Sequence, residues 1–166
     1  MRAITIYQPW ASLIAVRAKK YETRSWQTRY RGKIAIHAAK TDKYMRDYDV
    51  LSILPEGWAM ESNPPYPDLM MAKDVPLGAV IATAELIGCW RIDSLGRGAL
   101  TTDYFARLSM CNCGGDRSIT TRVSGYELLF GDFEEGRYAW ELANVQMLPE
   151  PMPCRGRQGL WDWRND

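Results

Sequence analysis

The sequence predicts an α+β fold, a small β-barrel with peripheral helices and two irregular inserts. Several segments of strand length alternate apolar and polar residues or are rich in β-branched side chains. Few segments repeat apolar residues at helical spacing, and a strand-like segment near the C-terminus can close the barrel. The 166 residues fit one domain, predicted over residues 1–166.

The predicted elements are mostly strands. Pro9 suits the first turn of a helix, and Trp10, Leu13 and Ile14 recur at helical spacing, which favours Trp10 as a core anchor. The predicted strands are residues 3–7, 21–26, 34–38, 79–90, 138–147 and 155–163. Further helical segments are predicted at residues 41–53, 102–110 and 124–130, and a stiff proline connector at residues 149–153. The predicted inserts, otherwise mostly loop, are residues 54–75 and 91–135.

The charge of the chain is segregated although its net value is only +1. Residues 1–46 carry eleven Lys and Arg against two acidic residues, a balance of +9, and residues 47–166 carry a balance of −8. Such segregation predicts a local positive patch that attracts a polyanion, unless the acidic part folds back and neutralises it.

The chain shows no secretory signal and no apolar run of the ~20 residues that a membrane span needs. We therefore expect a cytoplasmic protein with no membrane partner, whose four cysteines stay reduced. Cys111 and Cys113 are one residue apart, a poor spacing for structural zinc, so loop thiols are favoured over a metal knuckle. We expect neither a metal nor another cofactor.

The segment Ala18–Trp26 concentrates candidate functional residues. Strand alternation places Glu22, Arg24 and Trp26 on one face. Lys19 can grip a phosphate, polarise a carbonyl or, if partly buried, act as a base. Glu22 is a catalytic candidate, although a salt bridge that orients Lys19 or Arg24 is favoured.

The other two side chains on this face also have two interpretations. Arg24 can pair with Glu22 or bind a phosphate. Trp26 can stack a base or pack on Trp140 or Trp161.

Further basic residues lie after this segment. Arg29, Arg31 and Lys33 are candidates for phosphate contacts or form a solvated turn. His37, the only histidine, is a structural or ligand-contacting residue at a strand end, and Lys40 can line the same rim. Near the C-terminus, Arg157 either adds a second positive edge or pairs with Glu141 or Asp162.

Several of these residues together resemble the ASCH domain, the activating-signal-cointegrator homology domain of the PUA-like superfamily. The family hallmark Gly-x-Lys-x-x-Glu-x-Arg corresponds to Arg17, Lys19, Glu22 and Arg24. Flanking blocks in the family's order extend the resemblance over residues 1–40, 76–90 and 136–163. The blocks are Gln8–Ala11, Trp26, Tyr30–Gly32, Ile36–Lys40, Pro76–Ile81, Gly136–Trp140 and Gly156–Trp161.

The resemblance implies a PUA-like barrel with a cleft beside the first helix and a role in handling RNA or nucleotides. Some family members resemble RNA-binding modules, some act as ribonucleases, and one branch hydrolyses N4-acetylcytidine. That branch carries threonine where this chain has Glu22, which argues against an unchanged amidohydrolase activity. The family glycine is Arg17 here, and since glycine supplies the left-handed C-cap, we expect either that the helix ends in another way or that the motif aligns differently.

The leading hypothesis is a nucleic-acid-binding domain, RNA preferred, that takes RNA, a single strand or a nucleoside in a positively charged cleft. The alternatives are a metal-independent hydrolase acting on RNA or a modified nucleoside, with Lys19 and Glu22 catalytic, and a protein-interaction adaptor built on the inserts, including Tyr66, Met70 and Met71. The nucleic-acid-binding candidates are Gln8, Trp10, Lys19, Arg24, Trp26, Arg29, Arg31, His37, Lys40 and Arg157.

Overall fold

The computed structural model describes residues 1–45, 75–97, 104–110 and 119–164. Within these ranges the chain forms eight strands and two short helices. In order they are β1 (Arg2–Ile6), α1 (Trp10–Ala15), β2 (Tyr21–Arg24), β3 (Gly32–Ala38), β4 (Ala79–Arg97), β5 (Tyr104–Met110), β6 (Thr120–Ser124), α2 (Tyr126–Leu129), β7 (Tyr138–Pro153) and β8 (Leu160–Asp162).

All eight strands belong to one hydrogen-bonded sheet. Its main order is β2-β7-β4-β3-β1-β8, and β5 pairs with both β4 and β6. The predicted β-rich fold with few, short helices is confirmed. Among the described strands the sheet is open between β2 and β8, so closure into a barrel stays a prediction.

The chain divides into two compact units. Unit 1 comprises residues 1–18, 33–84 and 144–166, and unit 2 comprises residues 19–32 and 85–143. The long strands β4 and β7 contribute residues to both units. The prediction of a single domain over residues 1–166 stays a prediction.

Unit 1 is built around β1. This strand pairs in parallel with β3, from Arg2 opposite Ile34 to Ile6 opposite Ala38, and antiparallel with β8. Five of the six residues of α1 are buried, so the helix is packed around most of its surface and not on one apolar face alone. One cluster of this unit's core contains Ala3, Ala35, Val80, Trp161 and Trp163.

Unit 2 contains two antiparallel arrangements. Strand β2 pairs with the start of β7, from Tyr21 opposite Glu141 to Arg24 opposite Tyr138. Strands β4, β5 and β6 form a meander, with a bulge in β4 between Ile92 and Ser94. Its core cluster contains Tyr21, Trp90, Ile92, Ala106, Leu108, Val123, Phe133 and Ala139.

Several secondary-structure predictions are wrong, among them the loop at residues 120–123, which belongs to β6, and the long closing strand, which is limited to Leu160–Asp162. Residues 104–110 form a strand and not a helix, because Ala106 and Leu108 alternate into the core while the backbone pairs with β4 and β6. Strand β4 continues to Arg97, into a segment predicted as loop. Strand β7 continues to Pro153, through the predicted connector. The short helix predicted at residues 124–130 is confirmed as α2.

Several other predictions fall partly or wholly outside the described residues. Residues 43–45 form a turn at the start of the helix predicted over 41–53, whose remainder is outside the described residues. Tyr66, Met70, Met71, Cys111 and Cys113 are outside them as well.

The expectation about the end of α1 is also wrong. Arg17 itself adopts the left-handed conformation, with φ 66°. The N–H of Ala18 donates to the carbonyl of Leu13 at 2.8 Å, and that of Arg17 to Ile14 at 2.9 Å. These are the two hydrogen bonds of a Schellman motif, which normally has glycine at this position. The helix therefore ends as in the family pattern, with arginine at the strained site.

Candidate functional site

Lys19 lies at the start of unit 2, directly before β2, and is buried although it carries a charge. Its side chain is 1% exposed. The ammonium donates to the backbone carbonyl of Tyr21, and its Nζ lies 3.9 Å from Oε2 of Glu22. A buried cation needs such partners because burial removes its hydration.

Glu22 links the two cations of the hallmark. Its Oε1 lies 3.1 Å from Nε of Arg24, and its Oε2 faces Lys19. The side chain of Glu22 is 11% exposed and that of Arg24 is 25% exposed. The structure thus shows the salt bridges favoured for Glu22, in which one carboxylate holds an ammonium and a guanidinium. The catalytic roles of Lys19 and Glu22 stay predictions.

Burial lowers the pKa of Lys19 below its usual value of 10.5. The carboxylates of Glu22 and Glu127 oppose this shift, and the guanidinium of Arg24 adds to it. A lysine with a lowered pKa has a larger neutral fraction near neutral pH, and only the neutral amine can accept a proton.

Trp26 packs on Trp140, one of its two predicted packing partners. The ring centroids are 4.5 Å apart and the planes are nearly perpendicular, at 89°. The indole N–H of Trp140 donates to the backbone carbonyl of Trp26 at 3.3 Å. Trp140 is fully buried, whereas Trp26 is half-buried, so Trp26 is the accessible member of the pair. In a T-shaped pair Trp140 covers at most one face of the Trp26 ring.

The segment around α2 holds β2 in place, and the sequence analysis did not identify it. The carboxylate of Glu127 accepts the N–H groups of Lys20, at 2.8 Å, and Tyr21, at 3.0 Å. The N–H of Asp132 donates to the hydroxyl of Thr23 at 2.9 Å. Glu127 lies 107 residues after Lys20, so no local motif could indicate the contact.

Gly131, in the same segment, lies against Lys19. A Cβ placed there would be 2.8 Å from Cε2 of Phe133 and 3.3 Å from the Lys19 ammonium. A side chain at this position would therefore crowd the Phe133 ring first and the buried amine second, which favours glycine.

Arg29 and Arg31 lie in the exposed turn after β2. Nη1 of Arg31 donates to the carbonyls of Thr28, at 3.1 Å, and Tyr30, at 2.7 Å. These bonds hold the guanidinium on the turn through Nη1 and do not use its Nε and Nη2 groups. Both arginines are thus available to a ligand, as a phosphate contact requires.

In unit 1, Gln8 and His37 are buried. The side-chain amide of Gln8 donates to the carbonyl of Pro76 at 2.8 Å, and its oxygen accepts the N–H of Ser12 in the first turn of α1 at 3.0 Å. Nε2 of His37 donates to the carbonyl of Cys154 at 3.1 Å, and burial lowers the pKa of His37. Both side chains hold the fold of unit 1 together.

Trp10 belongs to an aromatic cluster on unit 1. Its ring centroid lies 5.3 Å from that of Tyr44, which in turn lies 5.1 Å from that of Tyr7. Nζ of Lys43 is 4.9 Å from the Tyr44 centroid, a cation–π contact. Trp10 is half-buried and is not the fully buried core anchor that its spacing predicts.

The remaining candidates of unit 1 are exposed. Lys40 lies beside Gly78, and the backbone carbonyl of Arg157 accepts the hydroxyl of Thr5 at 2.9 Å. The acids predicted to pair with Arg157 have other partners, since Asp162 pairs with Arg2 and Glu141 with Lys20. Lys33, also exposed, directly precedes the buried part of β3.

The described ranges contain neither a helix that could span a membrane nor a cluster of metal ligands. No helix there is long and apolar enough to cross a membrane. No three His, Cys, Asp or Glu side chains in residues 1–45, 75–97, 104–110 and 119–164 cluster as metal ligands would.

The fold and the Lys19–Glu22–Arg24 cluster define a β-rich domain in which a buried lysine just before the second strand is tied to a carboxylate on that strand, which also holds an arginine. The ASCH domain profile matches residues 4–152. The chain belongs to the ASCH domain family.

Two proteins of this family are similar to part of the chain. Activating signal cointegrator 1 from Homo sapiens and the protein of the same name from Mus musculus are each 30% identical to it over 86 residues, which is 52% of this chain. The match covers 14% of the length of each of these longer proteins.

Proposed function

We propose that this chain binds RNA as a single strand, with a base stacked on Trp26 and phosphates held by Arg29 and Arg31. The observation that carries the proposal is the accessible Trp26, fixed on Trp140 only three residues before Arg29. An aromatic ring beside cations is the usual combination in single-strand recognition, where the ring takes a base and the cations take the backbone. Membership of the ASCH family supports the choice of RNA.

Burial divides the predicted contacts into two groups. Lys19 and Glu22 hold the strand and orient Arg24, which is the most accessible member of the Lys19–Glu22–Arg24 cluster. Gln8 and His37 have corresponding structural roles in unit 1. The contacts to nucleic acid are therefore assigned to the more accessible residues: Trp10, Arg24, Trp26, Arg29, Arg31, Lys40 and Arg157.

The aromatic cluster of unit 1 is a second candidate surface for the same ligand. Tyr7, Trp10 and Tyr44 offer ring faces, and Lys40 and Lys43 offer charge.

We further propose the PUA-like barrel of the family as the complete fold and the cytoplasm as the location. The free thiols of Cys89 and Cys154 are compatible with a reducing compartment.

The test is a salt titration of binding to a labelled single-stranded RNA, with duplex RNA and single-stranded DNA for comparison. The double variant Arg29→Ala/Arg31→Ala should lower the slope of log K against log salt by about 1.4, since each phosphate contact on a single strand contributes about 0.7. Trp26→Ala should weaken binding by about 1–3 kcal/mol, and Trp26→Phe by less. Arg107→Ala, an exposed arginine of β5, serves as the matched control. Binding that does not respond to salt would contradict the proposal.

Metal-independent hydrolysis of RNA or of a modified nucleoside is the second candidate function. It is favoured by the burial of Lys19, which lowers its pKa beside a carboxylate. It is disfavoured by the 1% exposure of the same side chain, which keeps the amine from a ligand in this conformation. Turnover of RNA or of N4-acetylcytidine in the presence of a chelator would support hydrolysis, provided that Lys19→Ala abolishes it. An unchanged rate in that variant would exclude the mechanism.

A further inference from the structure

Unit 2 has a concave surface of about 840 Å³ beside α2, here named the α2 groove. It is lined by residues of β4, β5 and the segment around α2, among them Leu95, Tyr104, Tyr126, Leu129, Asp132 and Glu134. None of the residues discussed for RNA binding lines it.

The groove concentrates exposed apolar side chains. Leu95 is 55% exposed, Tyr104 63%, Tyr126 48% and Leu129 58%. Four of the nine large hydrophobic residues exposed in the described ranges therefore line one concavity. Apolar side chains gathered in this way indicate a binding surface, whereas single exposed ones need no explanation.

The charge beside the groove is negative. The stretch from Ser124 to Glu135 contains four acidic residues and no Lys, Arg or His. Two of the carboxylates have partners, because Glu127 accepts the N–H groups of β2 and Asp132 pairs with Arg137 at 3.1 Å. Within the described part of the chain, Glu134 and Glu135 form no ion pair.

One cation lies close to the groove: the guanidinium of Arg97 is 6.0 Å from the ring centroid of Tyr104, which lines the groove. The negative character therefore belongs to the part lined by Asp132 and Glu134, with Glu135 next to it in the chain. A phosphate would be repelled there, whereas lysine or arginine would be attracted.

The groove is also preformed. Glu127 and Asp132 bind β2 through 2.8, 3.0 and 2.9 Å hydrogen bonds, while their neighbours Tyr126, Leu129 and Phe133 line the groove. A surface that is already ordered loses less conformational entropy when it binds.

We propose that the α2 groove binds a short amphipathic helical segment of a partner protein, with apolar residues on one face and lysine or arginine beside them. The apolar face fills the groove between Leu95, Tyr104 and Leu129, and the basic residues lie against Glu134 and Glu135. This is the arrangement in which helices dock in grooves, with anchors spaced by three or four residues. The inference is independent of RNA binding.

The test uses fluorescence anisotropy of the full chain with a labelled helical peptide that has leucines at i, i+3, i+4 and i+7 and lysines elsewhere. Two further probes are the same peptide with glutamates for lysines and a scrambled peptide of equal composition. We expect the first peptide alone to bind. Equal binding of either other peptide, or no binding, would overturn the proposal.

Variants locate the binding surface. Leu129→Ser should weaken binding about tenfold or more, because the anchor loses apolar contact area. Glu134→Lys/Glu135→Lys should weaken it about tenfold, an effect that salt reduces. The matched controls are Ile87→Ser, which changes a hydrophobic side chain of unit 2 that is 49% exposed and outside the groove, and Glu150→Lys. Equal losses in the controls would overturn the assignment of the surface.

Self-association is the competing occupant. Sedimentation velocity of the chain alone should show no dimer that Leu129→Ser dissociates. Such a dimer would identify the groove as a contact between copies of this chain and would overturn the proposal. The melting temperature and circular dichroism of Leu129→Ser should match those of the unchanged chain, which shows that the variant is folded whether or not RNA binds.

Discussion

Unit 2 buries the charged side chains of Lys19 and Glu22, whereas unit 1 buries the neutral side chains of Gln8 and His37. Gln8 forms hydrogen bonds to two backbone groups, at 2.8 and 3.0 Å, and His37 forms one through Nε2, at 3.1 Å. The charged pair depends on each other and on Arg24. Residues in the matching family blocks are therefore held either by hydrogen bonds to the backbone or by ion pairs. Substitutions in the two groups should change the free energy of unfolding by different amounts.

The largest expected effect is the loss of the carboxylate from the charged cluster. Glu22→Gln leaves Lys19 buried without its counter-ion and should lower the free energy of unfolding by about 3 kcal/mol. Lys19→Met should lower it much less, because Glu22 keeps Arg24 and the methionine fills the space. Urea denaturation of both variants measures the difference.

Glu134→Gln, on an exposed carboxylate without an ion pair among the described residues, is the control for the Glu22 variant and should have little effect. Equal losses in Glu22→Gln and Lys19→Met would show that the buried charge does not control the stability of this cluster.

Crowding around the buried His37 ring should lower the free energy of unfolding by less than the loss of the Glu22 carboxylate. A Cβ at Gly156 would lie 2.7 Å from Nδ1 of His37 and 2.9 Å from Oγ1 of Thr5. Gly156→Ala should therefore lower the free energy of unfolding by about 2 kcal/mol, as overpacking does. In the double variant with His37→Ala the loss should be less than the sum of the single losses, since the ring is then absent. Strictly additive losses would place the strain elsewhere.

A gain in stability is expected at the end of α1. Arg17 has φ 66°, a conformation that glycine adopts without steric cost. Arg17→Gly should raise the free energy of unfolding by about 0.5–1 kcal/mol, even though the bond from Nε to the carbonyl of Val145 is lost. Arg17→Ala loses the same bond and keeps the strain, so it should be less stable than Arg17→Gly. Thermal denaturation of the three proteins decides the order.

The smallest effect is a pH dependence that belongs to His37. Burial lowers its folded-state pKa below 6.5, so the unfolded chain takes up the proton first on acidification. The stability that the folded state gains from the neutral His37 is fully present above pH 6.5. It decreases as the pH falls from 6.5 to the folded-state pKa of His37, and it does not change further below that pKa. His37→Gln, which keeps a donor for Cys154, should reduce the decrease in melting temperature between pH 7 and 5.5. An unchanged decrease would assign it to other groups.

The sequence predicts the local elements better than the pairing between them. The β-branched residues of β1 and the helical spacing in α1 identified both elements from local sequence alone, although burial is nearly continuous in each of them. Strand β5 was missed because its strand conformation depends on β4 and β6, which pair with it across the sheet. The Lys19–Glu22–Arg24 cluster results from short spacing, whereas Glu127 is 107 residues from Lys20 and could not be predicted.

The prolines at the end of β7 misled the prediction for a specific reason. Pro149, Pro151 and Pro153 are spaced by two, so their missing N–H groups all lie on one side of the strand. The residues between them keep donors for the other side, and Cys154, in that alternate register, donates to the carbonyl of Gly78 at 3.0 Å. A proline-rich segment can therefore remain a strand when it is paired on one side.

The short helix α2 gives two structural roles to one stretch of backbone. Glu127 turns toward β2, while Tyr126 and Leu129 on either side of it line the groove. A single inserted residue would rotate the later residues of the helix by about 100°, which moves Glu127 off the amides or the apolar side chains off the groove. This stretch should therefore tolerate substitutions in type far better than changes in length.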